Sequence, residues 1–221
     1  KDGDVVAVDL ETYDPQLKTH GSGAIIGNGF VCGIAIAYRN ETFYFPIEHK
    51  GPKLATNLVW KVLNKKIFQN EKINKVFHNA MYDVCWIRSA TGLMPKGNLY
   101  DTMIAASVID ENRKSYSLDS LSADYLNDKK YKYDLKDRAL AEHGIADPMS
   151  NMDKLPYDLV KDYAEQDVSL TLRLWKKFKE IIDKPIQVLG PEDNPVKYKT
   201  LQNIFNLETK LFPCLVDIRF K

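Results

Sequence analysis

Val5-Val6-Ala7-Val8-Asp9-Leu10-Glu11 is a continuous apolar run that turns acidic at its end, the pattern of a buried central strand leading into a site. The stretch that follows, with Gly21, Gly23, Gly27 and Gly29, reads as a long loop. Residues 30–38 and 42–47 are rich in aliphatic and aromatic residues and flank the polar turn Arg39-Asn40-Glu41, so they predict two more strands and a three-stranded meander. Between Leu54 and Phe68, the positions Leu54, Leu58 and Val62, with Val59, Leu63 and Ile67 beside them, recur at helical spacing and predict a helix covering the sheet. Lys75-Val76-Phe77 predicts a short strand, residues 80–90 a helix, and Leu99-Tyr100 a further strand. Helices are expected over 101–109, 117–126 and 134–143, and a long one over 156–182. There Pro156 suits the first turn, and Leu159, Tyr163, Val168, Leu172 and Trp175 share an inward side. Pro185 ends that helix; residues 184–199, with three prolines and Gly190, are linker-like, and an amphipathic segment starts at Leu201. The order strand, strand, strand, helix, strand predicts an α/β fold, a mixed sheet of about five strands flanked by helices.

The 221 residues suffice for one large domain or a domain with an appendage. Hydrophobic residues at 44% and charged residues at 28% exclude disordered, collagen-like and disulfide-scaffold classes. A formal net charge of +1 excludes nucleic-acid binding by bulk charge, so any such contact is local. Cys32, Cys85 and Cys214 lie far apart without C-x-x-C spacing and read as reduced core residues. No window of about 18 apolar residues and no signal peptide occurs, which gives no membrane partner and a cytoplasmic expectation. The chain starts at Lys1 without methionine and stops at Lys221 within an apparent helix, as expected of a segment of a longer polypeptide.

Side chains alternate along a strand, so Asp9 and Glu11 share one face and Val8 and Leu10 the other. Two carboxylates at the end of an apolar strand invite a hard divalent cation, Mg²⁺ or Mn²⁺, which relieves desolvation and mutual repulsion. A lone D-x-E equally serves as a turn or helix cap. In Phe77-His78-Asn79-Ala80-Met81-Tyr82-Asp83 a strand hands over to a helix, Asn79 is a natural N-cap, and Asp83 lies one turn in. Asp83 also suits the positive helix N-terminus with no chemistry attached. Tyr163 and Asp167 are spaced i, i+4 on the long helix, which puts a phenol and a semi-buried carboxylate on one face; a core tyrosine beside a surface aspartate has the same spacing.

Taken together and in order, these motifs change the picture. The sequence resembles the DEDD exonuclease superfamily: Asp9-Leu10-Glu11 matches D-x-E, Asn79 to Asp83 matches N-x-x-x-[FY]-D, and Tyr163 to Asp167 matches the Y-x-x-x-D of its DEDDy branch. Tyr100-Asp101-Thr102-Met103 and Tyr116-Ser117-Leu118-Asp119-Ser120-Leu121 are similar to intervening segments of family A DNA polymerases. Residues 207–220 resemble the entry to the polymerase module, in a form nearest to bacteriophage enzymes. The polymerase motifs themselves are absent from this chain, so no nucleotide-polymerising activity is expected of it.

The resemblance implies a ribonuclease H-like 3′→5′ exonuclease domain over 1–183, a linker over 184–199 and the start of a polymerase module over 200–221. It further implies proofreading: two divalent cations held by Asp9, Glu11, Asp83 and Asp167 hydrolyse the terminal phosphodiester of single-stranded or frayed DNA. In that scheme Asp9 bridges both cations, Glu11 and Asp167 complete the site that activates water, Asp83 supports the leaving-group cation through waters, and Tyr163 orients the nucleophile. Thr12, His78 and Asn79 line the substrate, and the implied setting is a monomer in a bacterial or phage-infected cell. Alternatives are a ribonuclease D-like RNA 3′ exonuclease and an inactive nucleic-acid-binding module. Lys129-Lys130-Tyr131-Lys132-Tyr133 interleaves bases with aromatics, suited to a DNA strand or simply to a solvated loop. His20, His49, His78 and His143 form no ligand cluster by spacing, and the glycines at 21–29 lack a phosphate-cradle pattern.

Overall fold

A computed structural model describes residues 4–128, 132–188 and 197–221. The three-stranded meander forms as β1 (Asp4–Tyr13), β2 (Phe30–Tyr38) and β3 (Glu41–Pro46), with short helices α1 (Leu17–His20) and α2 (Gly23–Ile26) inside the glycine-rich loop. Helix α3 (Thr56–Leu63) runs into a π-helical turn, Asn64–Phe68, and leads to β4 (Ile73–Phe77), α4 (Ala80–Thr91) and β5 (Leu99–Asp101). Helices α5 (Thr102–Ile109), α6 (Leu118–Leu126), α7 (Lys132–His143) and α8 (Tyr157–Ile182) follow. The sheet order is β3-β2-β1-β4-β5, antiparallel on the β2 side of β1 and parallel on the β4 side. That is the mixed five-stranded sheet the element order predicts.

Each face of the sheet has its own core. Val6, Val8 and Leu10 join Ile34, Ile36 and Phe77 beneath α3 and α4. Ala7, Ala35, Ala37 and Val76 join Ala164, Val168, Leu172 and Trp175 of α8 on the other side. Small residues on β1 and β2 let the long α8 lie close across the sheet.

Several boundaries differ from the sequence expectation. In α3 the packed face is Val59 and Leu63, continued by Phe68, while Leu54, Leu58 and Val62 are exposed. Helical spacing finds two neighbouring stripes there, and contact with the sheet buries the inner one. Pro156 sits at the N-cap of α8, one place before its first turn. The linker-like stretch contains two short strands, β6 (Ile186–Val188) and β7 (Lys197–Lys199), paired antiparallel, and its middle lies outside the described residues. Helix α9 (Gln202–Arg219) returns to the body: Phe212 and Val216 enter the α4 core, Phe205 meets Trp175 with ring centroids 5.5 Å apart, and Arg88 pairs with Asp217. Among the described residues no helix is long and apolar enough to cross a membrane.

Lys75 on β4 is fully buried, a charge the strand prediction left unexplained. Its Nζ donates to the carbonyls of Asn70 (2.8 Å), Ile73 (2.8 Å) and Lys96 (2.5 Å), tying the turn before β4 to the turn before β5. Burial pushes its ammonium down to about 8, and three carbonyl oxygens answer the charge that remains. Lys75→Met strands those carbonyls and is expected to cost about 2 kcal/mol. Urea unfolding measures it; an unchanged midpoint contradicts this role.

Candidate active site

Asp9 and Glu11 follow Ala7 onto the α8 side of β1, opposite Ala35 and Gly33 of β2. Contrary to the expected strand end, β1 continues past them to Tyr13, and its register against β2 slips between Glu11 and Thr12. Val31 partners Thr12 and Gly33 partners Glu11, so Cys32 is the extra residue of a β-bulge beside the acids. The bulge twists the end of β1 where the carboxylates emerge.

The other edge of β1 opens earlier. Pairing with β4 runs from Asp4↔Ile73 to Ala7↔Val76 and stops. Beyond it, the Leu10 N–H donates to Asp83 Oδ1 at 3.0 Å in a buried contact. The backbone between Asp9 and Glu11 therefore holds the third carboxylate in place. Asp83 is 3% exposed, and burial, then the charges of Asp9 and Asp101, push its carboxyl well above the usual range against the opposing Leu10 bond.

Helix α4 starts differently from expectation. Asn79 occupies the N-cap position with φ 66°, in the left-handed region, and its side chain makes no capping hydrogen bond. Asp101, at the end of β5, does the capping instead: Oδ1 accepts from Asn79 N (3.1 Å) and Met103 N (2.8 Å), and Oδ2 from Ala80 N (2.8 Å). One buried carboxylate thus starts both α4 and α5. Asn tolerates the left-handed turn better than most residues, which explains its place there. Beside it, Thr102 Oγ1 donates to Phe77 O (3.1 Å), so His78 Nδ1 carries the proton it shares with Thr102 Oγ1 at 2.8 Å.

Tyr163 and Asp167 are both buried on the face of α8 turned to the sheet, at 7% and 6% exposure. The Tyr163 phenol is pushed well above its ordinary value by burial, then by Asp167, Glu11 and Asp9. The charge of Asp9 acts on both Asp83 and Tyr163. The structure therefore draws Asp9, Glu11, Asp83, Tyr163 and Asp167 around the end of β1.

Of the expected substrate residues, Thr12 and His78 have defined side-chain bonds. Thr12 Oγ1 donates to the Tyr82 hydroxyl at 2.6 Å, which donates in turn to Asp14 Oδ2 at 3.1 Å; Asp14 also accepts from Gly23 N. The Thr12 hydroxyl thereby fastens α4 to β1. His78 is half-buried and Asn79 exposed at the head of α4. The side chains of the run from Lys129 to Tyr133 lie outside the described residues. Sequence reasoning missed Asp101 as a double cap, although an aspartate just before an apolar helix is an N-cap pattern for α5. It also missed Tyr44 and His49, which no local pattern connects to the acids.

Among the described residues no three acid, histidine or cysteine side chains are already gathered into a cage for one ion. The donor set nevertheless fits a hard divalent cation: the buried Glu11, Asp83 and Asp167 and the half-buried Asp9 supply carboxylate oxygens, and Mg²⁺ needs only one or two of them beside water and phosphate. A cation bound there would offset the repulsion and burial that raise Asp83.

Sequence comparison decides the family. The profile described as 3′–5′ exonuclease, from family A DNA polymerases, matches residues 1–183. The chain belongs to that family. All five clustered residues fall inside the match. The chain is 29% identical over 226 residues to a DNA-directed DNA polymerase of Pseudomonas phage M6, covering 97% of this chain and 30% of the relative. It is 30% identical over 179 residues to DNA polymerase I of Borreliella burgdorferi, covering 78% of this chain and 18% of that protein. The chain thus spans less than a third of the length of these relatives. Among solved structures, Brucella melitensis NrnC bound to pGG superposes with TM-score 0.65 at 19% identity, covering 98% of this chain and 84% of that one. The same protein with bound Mg²⁺ gives 0.64 at 18% identity, covering 98% and 85%. The catalytic core of Trypanosoma brucei RRP6 gives 0.59 at 22% identity, covering 99% and 47%. These likenesses establish the ribonuclease H-like exonuclease fold.

Proposed function

We propose that this exonuclease removes nucleotides from the 3′ end of single-stranded or frayed DNA by two-metal hydrolysis, as the proofreading part of a DNA polymerase. The observation that carries the reading is the convergence of four carboxylates and Tyr163 on the end of β1 within the matched span. Asp9, Glu11, Asp83 and Asp167 would hold the two Mg²⁺ or Mn²⁺ ions. Bound there, the pair of cations supplies an activated water and charge relief on the leaving 3′-oxygen. Asp83 is held in place by the Leu10 N–H. Tyr163 remains a neutral phenol, able to donate or accept a hydrogen bond to the attacking water. Thr12, His78 and Asn79 border the path of the terminal nucleotide.

Residues 1–183 form the exonuclease unit and 200–221 lead towards the polymerase module of a longer chain, the arrangement supported by relatives named DNA polymerases. The outer face of α9, with Ile204, Leu207, Leu211, Leu215 and Ile218 exposed, suits burial against such a module. The setting is the cytoplasm of a bacterial or phage-infected cell.

The test is digestion of matched single-stranded DNA and RNA, labelled at either end, in Mg²⁺. The reading requires stepwise loss from the DNA 3′ end with release of 5′-mononucleotides. Internal cutting, or release from the 5′ end, sinks it; preference for RNA moves the substrate to that of a ribonuclease. Tyr163→Phe, which keeps the buried ring, is expected to slow single-turnover cleavage on the order of 100-fold with oligonucleotide affinity unchanged.

A further inference from the structure

Tyr44 and His49 lie on the wall of the site, and neither belongs to the three acidic motifs. In register, Tyr44 opposes Ala35 on β2, and Gly33 opposes Glu11 on β1. Cross-strand partners point to the same face, so Tyr44, Ala35, Gly33 and Glu11 all face α8. Gly33 has no side chain, and its space is filled by Tyr44: a methyl group built there would overlap the Tyr44 hydroxyl and ring. The phenol therefore lies diagonally across β2, and Glu11 is the charge that acts on it most strongly.

The tip of Tyr44 is fastened from behind. Its hydroxyl is hydrogen-bonded to His49 Nε2, and the two rings meet edge to face with centroids 5.6 Å apart. His49 is 5% exposed in the turn after β3, where Lys50 N donates to Asp153 O at 2.9 Å. The backbone of Leu155 and Met152 flanks its ring. The same wall carries Cys32 of the bulge and Tyr163 of α8, in one buried cluster with Leu159 and Val160.

We infer that Tyr44, locked by His49, is a positioning residue for Glu11: the phenol laid over Gly33 confines the Glu11 carboxylate to the arrangement that takes a divalent cation. This rests on the proposed metal site. A buried tyrosine and histidine joined to each other need no exposed partner, and the cost of burying both polar tips is met by their mutual bond. The absent side chain at position 33 is what lets the phenol lie over the strand position that partners Glu11. A glycine is otherwise unfavourable in the middle of a strand, which gives Gly33 a specific reason to be there.

Titration of Mn²⁺ into the full chain by calorimetry, with single-turnover cleavage of a single-stranded oligonucleotide, tests the inference. Tyr44→Phe keeps the ring and loses the bond to His49; Mn²⁺ affinity is expected to fall about tenfold, the lower end for groups that orient metal ligands. The rate should fall with it, while KM for the oligonucleotide holds; the thermal midpoint should drop modestly, because the buried His49 Nε2 loses its partner. His49→Gln, which can still bond to the phenol, should stay near the parent, whereas His49→Leu should match Tyr44→Phe. Gly33→Ala should weaken Mn²⁺ binding in the parent and have little further effect in Tyr44→Ala, because the overlap is then gone. Parental Mn²⁺ affinity in both Tyr44→Phe and His49→Leu overturns the inference. A thermal midpoint that falls without loss of affinity in the folded protein overturns it too, leaving a packing role. If the parent itself binds no Mn²⁺, the metal reading fails first, and that result is separate from equal binding by parent and variant.

Discussion

Replacing Asp9 and Glu11 together by alanine should abolish release of nucleotides from a DNA 3′ end, with single-turnover rates lowered by at least about 1,000-fold. The size follows from preorganised charge: removing even one group that stabilises a transition state in a protected site costs on the order of 100- to 1,000-fold. This double variant removes two of the four acids proposed to hold the cations. Folding should survive. The two acids lie on the same face as Ala7, and Asp9 is a charge that raises Asp83, so removing it relieves repulsion in the metal-free protein. The thermal midpoint in chelator is therefore expected to be equal to or above that of the parent, with single-strand binding retained. Persistent 3′ digestion by the double variant excludes these acids from the chemistry.

Asp101→Ala should have the largest effect on stability, about 3 kcal/mol in urea unfolding. Three backbone N–H groups at the starts of two helices lose their acceptor at once, and each lost cap costs about 1 kcal/mol. Asp101→Asn keeps the oxygen that serves Asn79 and Met103 and loses the one that serves Ala80, so about 1 kcal/mol is expected. The consequence reaches the site, because α4 carries Asp83. Once its first turn frays, the bond from Leu10 is no longer secured. Activity measured well below the unfolding midpoint should fall in Asp101→Ala more than in Lys75→Met, which affects turns at the opposite end of β4. Equal stability of Asp101→Ala and the parent contradicts the double-cap account.

Much of the site was legible because its parts are local. Alternation along β1 places Asp9 and Glu11 on one face, and i, i+4 spacing places Tyr163 with Asp167, before any tertiary contact is known. The element order likewise yields the five-stranded sheet. What was not legible depends on partners distant in sequence. Asn79 looked like the cap of α4 because its residue type suits that position; the cap comes instead from Asp101, 22 residues on. The packed stripe of α3 could not be told from its neighbour, since Leu58 and Val59 have the same spacing partners and only the sheet chooses between them. The placing of Tyr44 over Gly33, opposite Glu11, depends on two strand pairings and a bulge, none of which has a local sequence mark. The grip of Leu10 N–H on Asp83 depends on β4 parting from β1 after Ala7, a feature of twist and register.

The central claim is that the four acids hold a pair of cations on a DNA 3′ end. Anomalous scattering from crystals grown with Mn²⁺ and a short single-stranded oligonucleotide, carrying a non-hydrolysable terminal linkage, tests it most directly. The account predicts two peaks about 4 Å apart between Asp9 and Asp167, with the 3′-terminal phosphodiester against both. No manganese at these residues, with the oligonucleotide bound elsewhere on the protein, would contradict it.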